Sequence, residues 1–261
     1  MPRTPIAGIL YSCEPATGSA DVELLEAGTG LTGALKLVSR RTRFSDGAVR
    51  DAGALPVGDV DAIVVELRRQ ALGDRVVARG DCGACGSPFD IRFSLVSFEA
   101  HQRPRRPRNV TAADQPGSWS LRGSSVTFRI PTADDVLGAA DADDPLAMLR
   151  ERCIYGAASQ RDVRRAEAVM ARLAPTLQAE VNGQCPNCAK TAALGVDARE
   201  LCLADLRFLA GSVLENVHLL AWAYNWREAD ILALPSTRRT RYADWVRGTL
   251  GEPLSAEAFG G

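Results

Sequence analysis

The sequence predicts an α+β fold, mostly helical, with a small ribbon divided between two distant segments. Residues 75–98, RVVARGDCGACGSPFDIRFSLVSF, and residues 176–200, TLQAEVNGQCPNCAKTAALGVDARE, each read as a strand, a Cys-x-x-Cys knuckle and a second strand. Most of the remaining chain repeats apolar residues at three- and four-residue spacing, the period of an amphipathic helix.

The knuckles carry the chemistry. A Cys-x-x-Cys turn offers two thiolates to one metal, and tetrahedral Zn²⁺ takes four. Cys82 and Cys85 are therefore half a site, and Cys185 and Cys188 complete it. The expectation is a split zinc ribbon holding one structural Zn²⁺, although residues 86–184 separate the halves, far more than a ribbon loop. Three other readings stay open. A thioredoxin-like redox pair needs a strand-to-helix setting, whereas both pairs lie between strands. A disulfide framework needs an export context that nothing in the sequence suggests. Two separate metal sites would each need two more ligands, and neither His101 nor His218 stands at ligand spacing.

Composition narrows the classes. With 261 residues, 46% of them hydrophobic, the chain fills one large or two modest domains. A net charge of −1 gives no global basic field for nucleic acid. No apolar run reaches 18 residues, so no membrane span is expected. The stretch IAGILYSC before Glu14 resembles a lipoprotein cleavage site, but it is short and preceded only by Arg3. A reducing cytoplasm is the expected location, with Cys13, Cys153 and Cys202 as buried reduced thiols.

Taken in order, residues 1–20 read as a loose lead-in or edge strand. Residues 21–41 read as two short helices broken at Gly28-Thr29-Gly30. A loop over 45–58 precedes a helix capped by Asp59, with Val60, Ile63, Val64, Leu67 and Leu72 on its apolar face and Arg68 and Arg69 near its end. Gly73-Asp74 stops it. Phe89, Ile91, Phe93 and Leu95 alternate with polar residues as in a half-buried strand. Gly86 suits the knuckle turn, and Ala189 suits the second one less well.

Residues 101–117, HQRPRRPRNVTAADQPG, read as an exposed connector, since four arginines without interleaved aromatics are weak evidence for a nucleic-acid arm. Trp119 to Ile130 form a strand or hairpin turning at Gly123-Ser124, and Thr132 caps the next helix. The acidic run at 141–144 lacks the spaced ligands of a calcium loop and reads as a connector. A helix follows over 145–155 with Leu146, Leu149, Cys153 and Ile154 inward, then another over 162–174. Residues 198–224 read as one long buried helix that includes Phe208, Leu214 and His218. A short helix and a last helix, capped by Ser236 or Thr237, complete the pattern.

The divisions expected are 1–76, an N-terminal helical region; 77–98 with 177–197, the split ribbon; 99–176, a linker and helical insertion; 198–250, a C-terminal helical region; and 251–261, a tail. Helix followed by knuckle occurs twice, which suggests a pseudo-repeat.

The segment from His218 to Trp226, HLLAWAYNW, followed by Glu228 to Pro235, EADILALP, and by Arg238-Arg239 and Arg241-Tyr242, resembles the C-terminal signature of phage baseplate hub assembly proteins of contractile tails, whose relatives accompany extracellular contractile injection systems. The Cys-x-x-Cys-Gly knuckle and the phrase Phe128-Arg129-Ile130-Pro131-Thr132 are similar to zinc-ribbon members of that group. Asn225 departs from the pattern, where a histidine is expected. The resemblance implies a role in building or completing a baseplate, in contact with other baseplate or tail proteins.

No nucleophile elbow, phosphate-binding loop or His-Glu-x-x-His motif is present, and four cysteines would close a zinc site to substrate, so no enzyme is expected. The expected partner-binding residues are Trp222, Tyr224, Trp226, Arg238, Arg239, Arg241, Tyr242 and Trp245, the residue types of interface hot spots. Sealing of a helix junction is the alternative reading of these aromatics. The competing function is a zinc-ribbon, helix-turn-helix regulator binding nucleic acid through the last helix, and a redox or metal-handling enzyme is a third.

Overall fold

The computed structural model describes residues 8–14, 17–45, 51–115 and 117–251. Most of the expected 251–261 tail and the first seven residues of the lead-in lie outside them. Strand β1 (Tyr11–Cys13) pairs antiparallel with β2 (Thr42–Phe44), and helices α1 (Gly18–Glu26) and α2 (Gly30–Arg41) lie between them. The expected break between these helices is present. Gly28 and Gly30 both take positive φ, which a side chain would resist.

Helix α3 (Val57–Leu72) begins two residues before the expected cap. Pro56 sets the entry dihedral and bridges to Thr132, so Asp59 falls inside the first turn, fully buried, instead of capping it. Arg68 closes the far end, donating from Nη1 to the Gly73 carbonyl at 2.6 Å and from Nε to Asp205 at 2.9 Å. Leu72 is exposed, beyond the buried stripe.

The first hairpin, β3 (Arg75–Asp81) with β4 (Pro88–Ser94), runs straight into α4 (Leu95–His101). The expected strand through Leu95 is therefore corrected to end at Ser94. Ser94 Oγ accepts from Ser97 N–H at 3.1 Å and caps the helix. The connector over 101–117 also holds more structure than expected. It contributes β5 (Val110–Ala112), which pairs with β6 (Ser118–Leu121), then β7 (Thr127–Arg129).

Thr132 and Asp135 form a capping box at α5 (Ala133–Ala139). Helix α6 (Pro145–Cys153) feeds β8 (Ile154–Tyr155), the far edge of a four-stranded sheet ordered β5-β6-β7-β8. Leu146, expected inward, is exposed at the start of α6. Helix α7 (Gln160–Leu173) covers this sheet with Ala166, Val169 and Leu173.

The second hairpin, β9 (Gln178–Gln184) with β10 (Thr191–Asp197), leads into α8 (Ala198–Tyr224), 27 residues and about 40 Å long. Helix α8 is buried on one face only. Phe208, 77% exposed, and Leu214 stand on the open face, correcting the expectation of an all-round buried helix. Asn225 ends it with φ 54, the left-handed cap position that asparagine tolerates better than most residues. Helix α9 (Glu228–Ala233) and helix α10 (Ser236–Leu250) follow, with Pro235 at the N-cap position of α10 in place of the expected hydroxyl cap.

The main core joins α1, α2, α3 and the first half of α8 to the roots of both hairpins, through residues such as Val64, Val76, Val196 and Leu206. Asp61, buried on α3, accepts from Leu177 N–H and from Arg199, both at 3.0 Å, and so ties α3 to the second hairpin.

In the sheet subdomain, Arg129 clamps Asp135, with Nη2 to Oδ1 at 2.9 Å, and Thr132 N–H reaches Oδ2 at 2.9 Å. The guanidinium, then these cap bonds, hold the Asp135 carboxyl well below the usual range. Its stabilisation is therefore present above the unfolded carboxylate value of about 4 and is lost as pH falls towards the folded value. Asp135→Asn is expected to cost about 1–3 kcal/mol at neutral pH. Urea titrations should show the gap from wild type narrowing below about pH 4.

Candidate metal centre and exposed aromatic face

The hairpins are copies of each other at an offset of 103 residues, Cys82 matching Cys185. The equivalence extends to single hydrogen bonds. Cys82 N–H donates to Ser87 O and Gly86 N–H to Cys82 O, while Cys185 N–H donates to Lys190 O and Ala189 N–H to Cys185 O. Leu95 N–H reaches Asp74 O as Ala198 N–H reaches Leu177 O. Ser94 and Asp197 cap the helices that follow.

Each hairpin has a glycine two residues before its first cysteine, and each glycine makes room for the other hairpin. A Cβ on Gly80 would lie 2.2 Å from Leu194 Cδ1, and one on Gly183 would lie 2.9 Å from Ile91 Cγ1. Ile91 and Leu194 are themselves equivalent positions. The hairpins thus meet about a quasi-twofold axis, burying Phe89, Ile91 and Ala192 beside Cys82 and Cys185.

This contact gathers the four predicted cysteines. Their sulfurs all lie within 4.8 Å of one another. Cys82 Sγ is 3.8 Å from Cys188 Sγ, and Cys85 Sγ is 3.7 Å from Cys185 Sγ. A tetrahedral Zn–S bond of about 2.3 Å implies sulfur–sulfur edges of about 3.8 Å, so the donor set and its spacing fit one ion. Cys82 and Cys185 are buried, Cys188 is half-buried and Cys85 is exposed.

Backbone N–H groups of Ala84 and Cys85 pull the Cys82 thiol down. The Ser87 N–H and hydroxyl, then Asn187, bring Cys85 down to about 6. Cys188 also receives an N–H, from Lys190, but burial and its three sulfur neighbours push it up to about 11. Four thiolates cannot share this space without a cation, and a bound metal would deprotonate them together.

Asn187 is a supporting residue that spacing did not reveal. Its Nδ2 donates to Ser87 Oγ at 2.9 Å and stands 3.7 Å from Cys85 Sγ, linking the two knuckles. Its place inside the second Cys-x-x-Cys is the one available sequence signal. The lone thiols take no part. Burial pushes Cys13 to about 11 and Cys202 to about 12, and Cys153 also upward. His101 Nδ1 contacts the Ser97 carbonyl at 2.6 Å, and His218 is exposed on α8.

Four of the predicted aromatic residues, Tyr224, Trp226, Tyr242 and Trp245, converge where α8 meets α10. Tyr224 stacks on Trp226 at 5.0 Å between centroids, Trp226 meets Tyr242 edge-on at 5.3 Å, and Tyr242 meets Trp245 at 5.4 Å. Trp222 is 64% exposed and Trp245 54%, with Arg241 stacked over Trp245. Arg238 and Arg241 are exposed. Arg239 is not available to a partner. It is 1% exposed and reaches Asp21 on α1 at 3.3 Å, a buried pairing that joins α10 to α1. Among the described residues, no helix is long and apolar enough to cross a membrane.

Fold and site together define an α+β protein in which two remote hairpins form a four-cysteine cluster spaced for one metal ion. Residues 34–167, just over half the chain, match the family model described as T4 bacteriophage base plate protein, and the chain belongs to that family. No curated protein and no solved structure matches it. The match contains Cys82, Cys85 and the phrase Phe128 to Thr132. It ends before Cys185 and before the segment from His218 to Tyr242 that carries the hub-like resemblance. Family membership supports a structural role in a phage baseplate and contact with other tail or baseplate proteins.

The knuckle turns supply a direct test of their equivalence. Gly86 and Ala189 both adopt left-handed φ, 71 and 58. An L-residue there costs about 1–2 kcal/mol. Ala189→Gly is expected to stabilise the chain by about 1 kcal/mol and Gly86→Ala to destabilise it similarly, measured by chemical denaturation of the metal-loaded protein.

Proposed function

We propose that this chain is a non-enzymatic structural or assembly protein of a contractile tail or injection-system baseplate, stapled by one structural Zn²⁺ on Cys82, Cys85, Cys185 and Cys188. The family match over residues 34–167 is the observation that carries the baseplate reading. The sulfur geometry supports the metal, since four thiolates at tetrahedral spacing suit zinc and leave no position for substrate. In this reading the split ribbon, 77–98 with 177–197, joins the helical regions 1–76 and 198–250 around the insertion 99–176. The ion resists separation of two segments that the intervening chain alone would hold loosely.

Trp222, Tyr224, Trp226, Tyr242 and Trp245, with Arg238 and Arg241, form the docking face for another baseplate subunit. Trp222 and Trp245, each more than half exposed, support that assignment, because a face that merely seals a helix junction would be covered. The last helix does not favour the nucleic-acid regulator. Arg239 is consumed inside the chain and Arg247 pairs with Asp244 at 2.9 Å and Asn216 at 2.9 Å, which leaves α10 a depleted basic face.

Elemental analysis of the purified chain is expected to find one zinc per chain, and Cys82→Ser with Cys185→Ser should abolish it and lower the unfolding midpoint. Bound iron with visible absorption, or no metal at all, would overturn the zinc assignment. Co-expression with baseplate and tail proteins from the same source tests the docking face separately. Trp222→Ala with Trp245→Ala should lose the co-purifying subunit while keeping the zinc, and retention of that subunit would sink the assignment.

A further inference from the structure

The connector over 101–109, read from sequence as an exposed spacer, is fastened to the sheet subdomain. Arg105 N–H donates to Arg172 O at the end of α7. Four residues on, Asn109 O accepts from Arg122 N–H, and Arg122 O accepts from Arg165 Nη2 at 3.0 Å, one to two turns back along α7. The strap therefore runs antiparallel to α7. This lays Arg103, Arg105, Arg106, Arg108, Arg122 and Arg172 in one exposed strip. Arg106 is braced over Trp119, 5.2 Å from its ring centroid. Arg103 lies within electrostatic reach of Glu99, and none of the six guanidiniums forms an ion pair among the described residues.

The opposite charge lies on the other side of the same subdomain. The strap leads into β5 at one edge of the sheet, whereas the 141–144 turn and α6 lead into β8 at the other, about 14 Å away across three strand spacings. Asp141, Asp143 and Asp144 are exposed and in no ion pair among the described residues. Asp144 caps α6 through Ala147 N–H, which fixes the turn. Beside them Leu146 projects 61% exposed, a large apolar side chain left open among the described residues. On the strap, half-buried Pro104, Pro107 and Trp119 offer apolar ground between the arginines.

We propose that the arginine strip of one copy receives the acidic turn and Leu146 of a second copy of this chain. Because the two patches differ and sit on opposite edges, the contact is head-to-tail, and it leaves a free patch at each end to bind further copies. A molecule with net charge −1 has no overall reason to collect six arginines on one strip, five of them with no carboxylate acting on them among the described residues. A complementary patch on its own surface supplies one. The inference does not depend on the baseplate reading or on the metal.

The test uses the full chain as purified in sedimentation velocity, up to about 100 µM, at about 50 mM and about 500 mM salt. Wild type is expected to self-associate at low salt and to dissociate at high salt. Arg105→Glu with Arg106→Glu and Arg108→Glu, or separately Asp141→Arg with Asp143→Arg, should weaken association by about tenfold or more. Mixing the two variants should restore it, because each then offers the patch the other needs. Circular dichroism and the unfolding midpoint verify that both variants fold.

A wild type that stays monomeric at low salt overturns the proposal, as does association that survives both variants. A DNA duplex of about 20 base pairs provides the remaining comparison. Steeply salt-dependent duplex binding, lost only in the arginine variant and without self-association, would assign the strip to a polyanion instead.

Discussion

Neither hairpin in this protein has the means to hold itself together. A two-stranded ribbon is marginal in water, and each knuckle brings only two thiolates. What each lacks, the other provides. Ile91 occupies the space above Gly183, Leu194 occupies the space above Gly80, and four sulfurs come within 4.8 Å. The glycines and the cysteines express one constraint. Sulfurs at tetrahedral spacing require the strands to approach so closely that no side chain fits at the position two residues before either knuckle.

That junction governs the body. Each hairpin delivers its chain directly into a helix through the same pair of contacts, a backbone bond back to the root and a side-chain cap. The orientation of α8 follows from the orientation of the second hairpin, and α8 in turn supports α1, α3 and α10. Buried ion pairs complete the fastening. Arg68 with Asp205, Arg199 with Asp61 and Arg239 with Asp21 each join segments more than 100 residues apart. Such pairs stabilise little relative to apolar packing, yet breaking one strands a charge, so they restrict the arrangement more than they strengthen it.

The insertion between the hairpins is a separate small body with its own core beneath α7. The family match runs through it and through the first hairpin, but stops short of the second. The matched residues and the closing half of the cysteine cluster thus occupy different parts of this chain. The open surfaces lie on these two bodies, aromatic at the end of α8 and charged along the sheet edges.

Periodicity and spacing alone determined a good deal. Both hairpins, the break at Gly28 to Gly30, the Thr132 cap, the length of α8 and the identity of the four sulfur donors are local statements. Each depends on residues a few positions apart, and local chemistry decides them. The sequence went astray where a distant partner intervened. Asp59 was displaced from its cap by Pro56 bridging to Thr132, 76 positions away. Arg239 reads as one more surface arginine until α1 brings Asp21 beneath it. Phe208 and Leu214 look like core because hydrophobic spacing cannot report which face a neighbour covers. The pairing of the two knuckles is of the same kind: each Cys-x-x-Cys announces a missing half, but only the packing of Gly80 against Leu194 and Gly183 against Ile91 decides that the halves belong to one chain.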